Sequence, residues 1–160
     1  MQADGESARR ARISDGRDIV RLAKDYFSVL QSARGGSALI PRVRSLVEVD
    51  AVEKAIMATG NALVVGLYEG VVAGFAYAIV VDDASGTPRV EVESMYIDPP
   101  LRRVGVGEAM IGEVARFAHD SGADSIDVIA LPGDGATKSF LEASGFRARL
   151  LVMHRSEKRS

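Results

Sequence analysis

The sequence predicts an α/β fold, a mixed sheet with helices packed on its faces, and three observations predict it. Apolar residues recur at helical spacing over residues 15–31, switch to a period of two between 62 and 97, then return to helical spacing at 106–121. Glu69-Gly70 separates two β-rich runs as a two-residue hairpin turn does, so those runs should pair antiparallel. The helical run 106–121 lies between strand-like runs at 90–97 and 125–131, a crossover unit that makes those two strands parallel neighbours. With 160 residues, 47% of them apolar, the chain can build one core but not two comfortable ones. Residues 1–8 are expected to be disordered, 9–155 to form a single domain, and 156–160 to be a frayed tail.

In order along the chain, residues 9–13 can form a first short strand. Ser14 then reads as an N-cap, and Ile19, Val20, Leu22, Ala23, Phe27 and Leu30 give a helix over 15–31. Residues 32–46 have no period and read as a loop. Asp50 caps a helix over 51–58 that Gly60 ends. Strands follow at 62–68 and 71–82, then the turn DDASGTP, then VEVESMYI at 90–97, which alternates as a half-exposed strand does. Val106, Met110, Val114, Phe117 and Ala118 form one apolar stripe on the helix 106–121, and Gly122 stands where a C-terminal glycine belongs. A strand at 125–131, a helix at 136–144 closed by Gly145, and a last strand at 147–154 complete the order.

Composition excludes several functions. A net charge of −2 gives no nucleic-acid footprint. Zero cysteines rule out disulfides, thiolate metal sites and a cysteine nucleophile, and two histidines leave little material for zinc, so no metal is expected. The longest apolar run, residues 71–81, is too short to span a bilayer, and the first twelve residues lack an apolar signal segment. A soluble cytoplasmic protein is the expectation.

The most informative stretch is DPPLRRVGVGEAM, residues 98–110. Helix N-termini carry unpaired N–H groups and a partial positive charge, which favour anions. A phosphate reaches those donors only where no Cβ intervenes, which would explain Gly105 and Gly107, while Arg102 and Arg103 add fork-shaped cationic donors. A Gly107→Glu change is then expected to block the anion and leave the helix folded. The alternative is a tight turn with solvated arginines. A dinucleotide fingerprint fails because its third glycine would be Met110, and no G-K-[ST] follows either glycine.

The stretch VEVESMYIDPPLRRVGVGEAMIGEVARFA resembles the central motif of the GNAT superfamily of acyl-CoA N-acyltransferases, with R-x-x-G-x-G on Arg102, Gly105 and Gly107. DGATKSFLEASGF resembles that superfamily's helix before its closing Gly-Phe, here Gly145-Phe146, and the element order fits over residues 9–155. The resemblance implies a mostly antiparallel sheet with one parallel central pair splayed by a bulge, placed at Glu93-Ser94. It implies that the pyrophosphate of acetyl-CoA sits on the N–H groups of Val104, Gly105, Val106, Gly107 and Glu108. It also implies that the pantetheine arm pairs with the backbone of Met95, Tyr96 and Ile97. The implied reaction moves an acetyl group from acetyl-CoA to a primary amine by direct attack in a ternary complex, the acceptor being a small molecule or a peptide.

Such a reaction needs a base near the splay. Glu91 and Glu93 are two residues apart and share a face on an unbroken strand. Glu91 matches the strand glutamate that serves as base in part of the superfamily, and Glu93 lies nearer the expected bulge. Both are kept, Glu91 first, against the alternative of a solvated strand face. The leaving thiolate lacks its usual acid, because Leu141 occupies the position where many relatives have tyrosine and Asp134 stands where asparagine is frequent. Tyr96 is the only nearby phenol, and a packed strand aromatic is its alternative. His119 suits the helix dipole, His154 sits near the tail, Asp82-Asp83 reads as a turn, and Arg9, Arg10, Arg12, Arg17 and Arg21 read as a solvated face.

Two other functions compete: a non-catalytic acyl-CoA-binding sensor, favoured by the missing tyrosine, and a small dinucleotide-binding module. The acceptor pocket is expected from residues 26–50 and the end of the chain. The last strand, carrying Leu150, Leu151, Val152 and Met153, should leave an open edge that a second copy covers in a two-fold homodimer.

Overall fold

Alternation along two strands sorts their side chains into two cores. Leu63, Val65, Leu67 and Phe75 lie in one, and Ala62, Val64, Ala76 and Ala78 in the other. The computed structural model describes residues 5–158. The chain runs through β1 (Glu6–Arg10), α1 (Gly16–Ser32), α2 (Ile40–Val43), α3 (Val49–Met57), β2 (Asn61–Tyr68), β3 (Val71–Asp82) and β4 (Pro88–Ile97). It continues through α4 (Val106–Asp120), β5 (Ile126–Val128) and α5 (Gly135–Ala143). The sheet order is β1-β2-β3-β4-β5, antiparallel up to β4 and parallel between β4 and β5. The α1–α3 layer supplies Ile19, Leu22, Leu30, Val43 and Val52 to the first core, and α4 supplies Val106, Met110 and Val114 to the second.

The approach of α4 depends on two missing side chains. Gly66 and Gly74 face each other across β2 and β3. A Cβ at Gly66 would stand 2.5 Å from both Met110 Sδ and Val106 Cγ1, so the glycines make the hollow into which the first two turns of α4 sink. The hairpin between these strands turns through Glu69 (φ 47°) and Gly70 (φ 79°), both left-handed as a type I′ turn requires.

Several expectations are corrected. β1 lies at Glu6–Arg10 rather than 9–13, so residues 6–8, expected to be disordered, pair with β2. The rest of the expected disordered N-terminus, residues 1–4 and 5, divides: 1–4 lie outside the described residues, as do 159 and 160 of the expected tail. Ser14 is not the cap of α1; Ile13–Asp15 is a 3-10 turn organised by Asp15, whose carboxylate accepts from the Arg12 N–H at 2.7 Å and from both Arg9 Nη atoms at 2.7 and 3.0 Å. Arg9 is therefore a partner of a buried acid and not part of a solvated face, and Arg10 lies over the Phe117 ring. α3 begins at Val49 behind Glu48, with Asp50 inside its first turn. The loop expected at 32–46 holds α2 between two 3-10 turns.

The largest correction is at the end. No strand forms at 147–154; Leu150, Leu151, Val152 and Met153 are 75–84% exposed. A strand needs a partner for its backbone groups, and β5 has only three paired residues, so no long edge exists for 147–154 to join. The segment is tied down at Arg149, which donates to Asp127 through Nε (3.1 Å) and Nη2 (2.7 Å).

Candidate functional site

In β4, PRVEVESMYI, the side chains of Val90 and Val92 belong to the α4 core. Tyr96 keeps their even parity yet belongs to the opposite core, while Met95 and Ile97 pack on the α4 side. A phase reversal within one strand requires an extra residue. Tyr77 pairs with Ser94 and the next β3 residue, Ala78, with Val92, which leaves Glu93 without a partner as the inserted residue of a bulge. Glu93-Ser94 is where the bulge is expected.

Beyond the bulge, β4 and β5 part. Their pairing covers Val90↔Ile126, Glu91↔Asp127 and Val92↔Val128 and then stops, so β5 is three residues long instead of the expected seven. The bond from the Asp98 N–H to the Ala73 carbonyl (2.8 Å) fixes the alternation beyond. Tyr96 and Ser94 bond towards β3, and Met95 and Ile97 turn their backbone groups to the side that β5 has left. The result is a slot beyond the end of β5 with one wall of open strand edge. One of its acceptors is taken: the Ile97 carbonyl receives Arg102 Nε at 2.9 Å, and the same guanidinium lies 5.3 Å from the centre of the Tyr96 ring.

At the mouth of the slot, Pro99–Leu101 forms a 3-10 turn and the chain enters α4 through two left-handed residues, Arg103 (φ 69°) and Gly105 (φ 89°). An arginine in that region is strained, at about 1–2 kcal/mol. Among the described residues, no hydrogen bond engages the N–H groups of Val104, Gly105, Val106, Gly107 or Glu108. These donors, with exposed Arg102 and Arg103 beside them, fit the pyrophosphate of a coenzyme A. The two glycines have different reasons. Gly105 is required by its backbone conformation. Gly107 is buried, and a Cβ there would meet Phe140 Cζ at 2.8 Å and Ile97 Cδ1 at 3.2 Å. A Glu at 107 would therefore meet packed side chains as well as any anion.

The two strand glutamates come together in spite of the bulge. Arg42 Nη1 donates to Glu91 Oε1 at 2.5 Å and to Glu93 Oε2 at 3.2 Å, and both glutamate side chains are 18% exposed. Partial burial works against the charge of Arg42, and the two carboxylates outweigh it, raising the guanidinium above its ordinary range. Arg89 closes the other side of Glu91 at 3.4 Å and lies 3.2 Å from Asp127, so acids and bases alternate across the parallel pair. Ser94, 3% exposed, has a hydroxyl with no hydrogen-bond partner among the described residues.

Tyr96 stacks on Tyr26 of α1, ring centres 5.4 Å apart. Burial, with the Asp134 carboxylate adding to it, pushes the Tyr26 phenol up to about 12; burial also raises Tyr96, with Arg102 opposing. Leu141, at the position expected for a tyrosine, is a buried apolar anchor of α5. Asp134 caps that helix, accepting from the Thr137 N–H at 3.0 Å and the Thr137 hydroxyl at 2.6 Å. Sequence reasoning missed Arg42 and Tyr26. Arg42 lies in an aperiodic stretch, and Tyr26 reads as one more residue of an amphipathic helix; nothing local marks either. His119 lies in the last turn of α4 and His154 in the exposed tail. Among the described residues no His, Asp and Glu side chains group as metal ligands, and no helix is long and apolar enough to cross a membrane.

A family model described as the GNAT acetyltransferase family matches residues 24–146. No curated protein matches the sequence. Solved structures of similar fold include an aminoglycoside acetyltransferase, meta-AAC0020, from an uncultured soil metagenomic sample in complex with trehalose (TM-score 0.70, 16% identity, 97% of each chain). The tetramutant of the BH1408 protein from Bacillus halodurans matches with TM-score 0.76 at 13% identity, over 93% of this chain and 98% of that one. Aminoglycoside N-acetyltransferase AAC(6')-Iy in complex with CoA matches at 0.70 and 18% identity over 98% of each chain.

Proposed function

Because the chain belongs to the GNAT acetyltransferase family, we propose that it transfers the acetyl group of acetyl-CoA to a primary amine by direct attack in a ternary complex. The observation that carries this reading is the convergence of Glu91 and Glu93 where the β4–β5 pairing ends. An amine attacks only after losing a proton, and a carboxylate at that point can take it. The thioester supplies an activated acyl carbonyl. Backbone N–H groups of Met95 and Ile97, turned to the slot, are the donors available to the oxygen that gains charge. Val104 to Glu108, with Arg102 and Arg103, hold the pyrophosphate end, and Met95 to Ile97 line the arm. With Leu141 in place of a phenol, the leaving thiolate, whose unperturbed pKa is about 8.5, departs to water or accepts a hydrogen bond from Tyr96 or Tyr26.

Structural neighbours that carry the name aminoglycoside acetyltransferase support a small cationic amine as acceptor, ahead of a peptide. Four exposed apolar residues, Leu150 to Met153, support a two-fold dimer in which a second copy covers the end of the chain. Leu141 favours a second reading, a sensor that binds acyl-CoA without turnover.

Thermal shift with acetyl-CoA, CoA and NAD tests the binding half. CoA species at about 100 times Kd should add about 2.7 kcal/mol of stability and NAD nothing. Release of free CoA thiol with a panel of amines tests the reaction. Glu91→Gln or Glu93→Gln should lower the rate by about 10²–10⁴ with acetyl-CoA binding kept. Binding without turnover on any amine would select the sensor; no shift with acetyl-CoA would overturn both.

A further inference from the structure

One nitrogen of Arg42 is held by two carboxylates, those of Glu91 and Glu93. That is the coordination an ammonium takes: a single cationic nitrogen donating in two directions. Two part-buried carboxylates side by side repel each other, and a cation between them relieves that repulsion. The position of Arg42 Nη1 is therefore one that favours a positive charge, whether this arginine's or another's. An ammonium has three N–H donors, one more than Arg42 Nη1 uses here. Ser94 follows Glu93 on the Tyr96 side of β4, and its buried hydroxyl has no partner among the described residues.

Arg42 is also placed to leave. It comes from α2, four residues long, set between 3-10 turns, the first of them entered through left-handed Gly35 (φ 78°). Val43 beside it is fully buried in the first core, so what swings is the Arg42 side chain and not α2. The side chain is 30% exposed, so solvent lies beside it. Arg89, bonded to Glu91 and close to Asp127, stays to hold the far side of the pair.

We propose that Arg42 is a built-in surrogate for the ammonium group of the acceptor. The acceptor enters as a cation, displaces the guanidinium from Glu91 and Glu93, and takes Ser94 as its third partner. The site thereby selects cationic primary amines over neutral or anionic ones. The inference rests on the reading of these glutamates as the acceptor site, but its test needs no acetyl transfer.

Calorimetric titration of spermidine into the wild type, Arg42→Gln and Arg42→Lys decides it, each first checked for the wild-type circular dichroism spectrum. Arg42→Gln should bind spermidine about tenfold more tightly, because the internal competitor is gone, and Arg42→Lys should resemble the wild type. Methylguanidinium chloride should compete with spermidine on Arg42→Gln. Equal or weaker binding by Arg42→Gln, or none, would overturn the proposal and make Arg42 a structural clamp. Should that variant not fold, the arginine side-chain NMR signals of the wild type serve instead. The Arg42 signal must move from its ion-paired position as spermidine is added, and a signal unmoved at 100 mM spermidine overturns the idea. Failure here leaves the acetyl-CoA stabilisation untouched, whereas absence of that stabilisation sinks the acyltransferase and sensor readings whatever spermidine does.

Discussion

Phe140 of α5 lays the tip of its ring on Gly107 of α4, where a Cβ would come within 2.8 Å of Cζ. The second glycine of RRVGVG therefore serves a helix-to-helix contact as well as a loop open to anions. Gly107→Ala should cost about 1–2 kcal/mol of stability, and Phe140→Leu, which removes the opposing atom, should recover most of it. Urea melts of the four members of that cycle check it; strictly additive losses would mean that the ring is not what residue 107 meets.

The Gly66 hollow gives a harsher case, because Val106 and Met110 are buried and cannot swing clear. Gly66→Ala should cost about 1–3 kcal/mol. Its effect should fall on the equilibrium unfolding midpoint and leave the urea dependence unchanged.

Asp15 supplies a pH signature. The hydrogen bond from Arg9, with the Arg12 N–H assisting and burial opposing, holds its carboxyl below the ordinary range. A depressed folded pKa contributes stability that is present above the unfolded value, near 3.9, and lost as pH falls through the folded one. Asp15→Asn should therefore lower stability by about 1–3 kcal/mol at neutral pH, and its deficit against the wild type should shrink below about pH 4. Melting temperatures of both proteins between pH 7 and 2 test the convergence.

The two arginines of the loop should separate by salt. Arg103 is exposed with no ion-pair partner among the described residues, so Arg103→Gln should weaken acetyl-CoA binding about tenfold at low salt and less at high salt. Arg102 also holds the Ile97 carbonyl, so Arg102→Gln should add a loss that salt does not screen. Equal salt dependence for the two variants would contradict this division.

The end of the chain offers a test of association. If a second copy covers Leu150 to Met153, light scattering at micromolar concentration should give a dimer, and Leu151→Lys a monomer. A monomeric wild type would discard the dimer and leave the tail as exposed chain.

The elements with strong periodicity were legible from sequence because burial on one side imposes a pattern: β2, β3, β4 and α4 lie within two residues of where alternation and the apolar stripe place them. What failed depends on partners elsewhere. Residues 147–154 carry a strand-like run, but a strand exists only with an edge to join, and β5 withholds one. β1 is polar and short, and only pairing with β2 reveals it. Near the slot, the shared face of Glu91 and Glu93 was legible because alternation is local. Arg42 and Tyr26 were not, since they reach β4 from other elements across the first core.

The bulge at Glu93 has a genetic consequence. Without that residue, Val92 and Ser94 would sit opposite adjacent residues of β3, and the phases before and after would join into one regular strand. Neither core would lose a side chain, and β5 could continue its pairing past Val128. A three-nucleotide deletion would thus convert a sheet that opens for a ligand into one that closes on itself, with the hydrophobic interior unchanged.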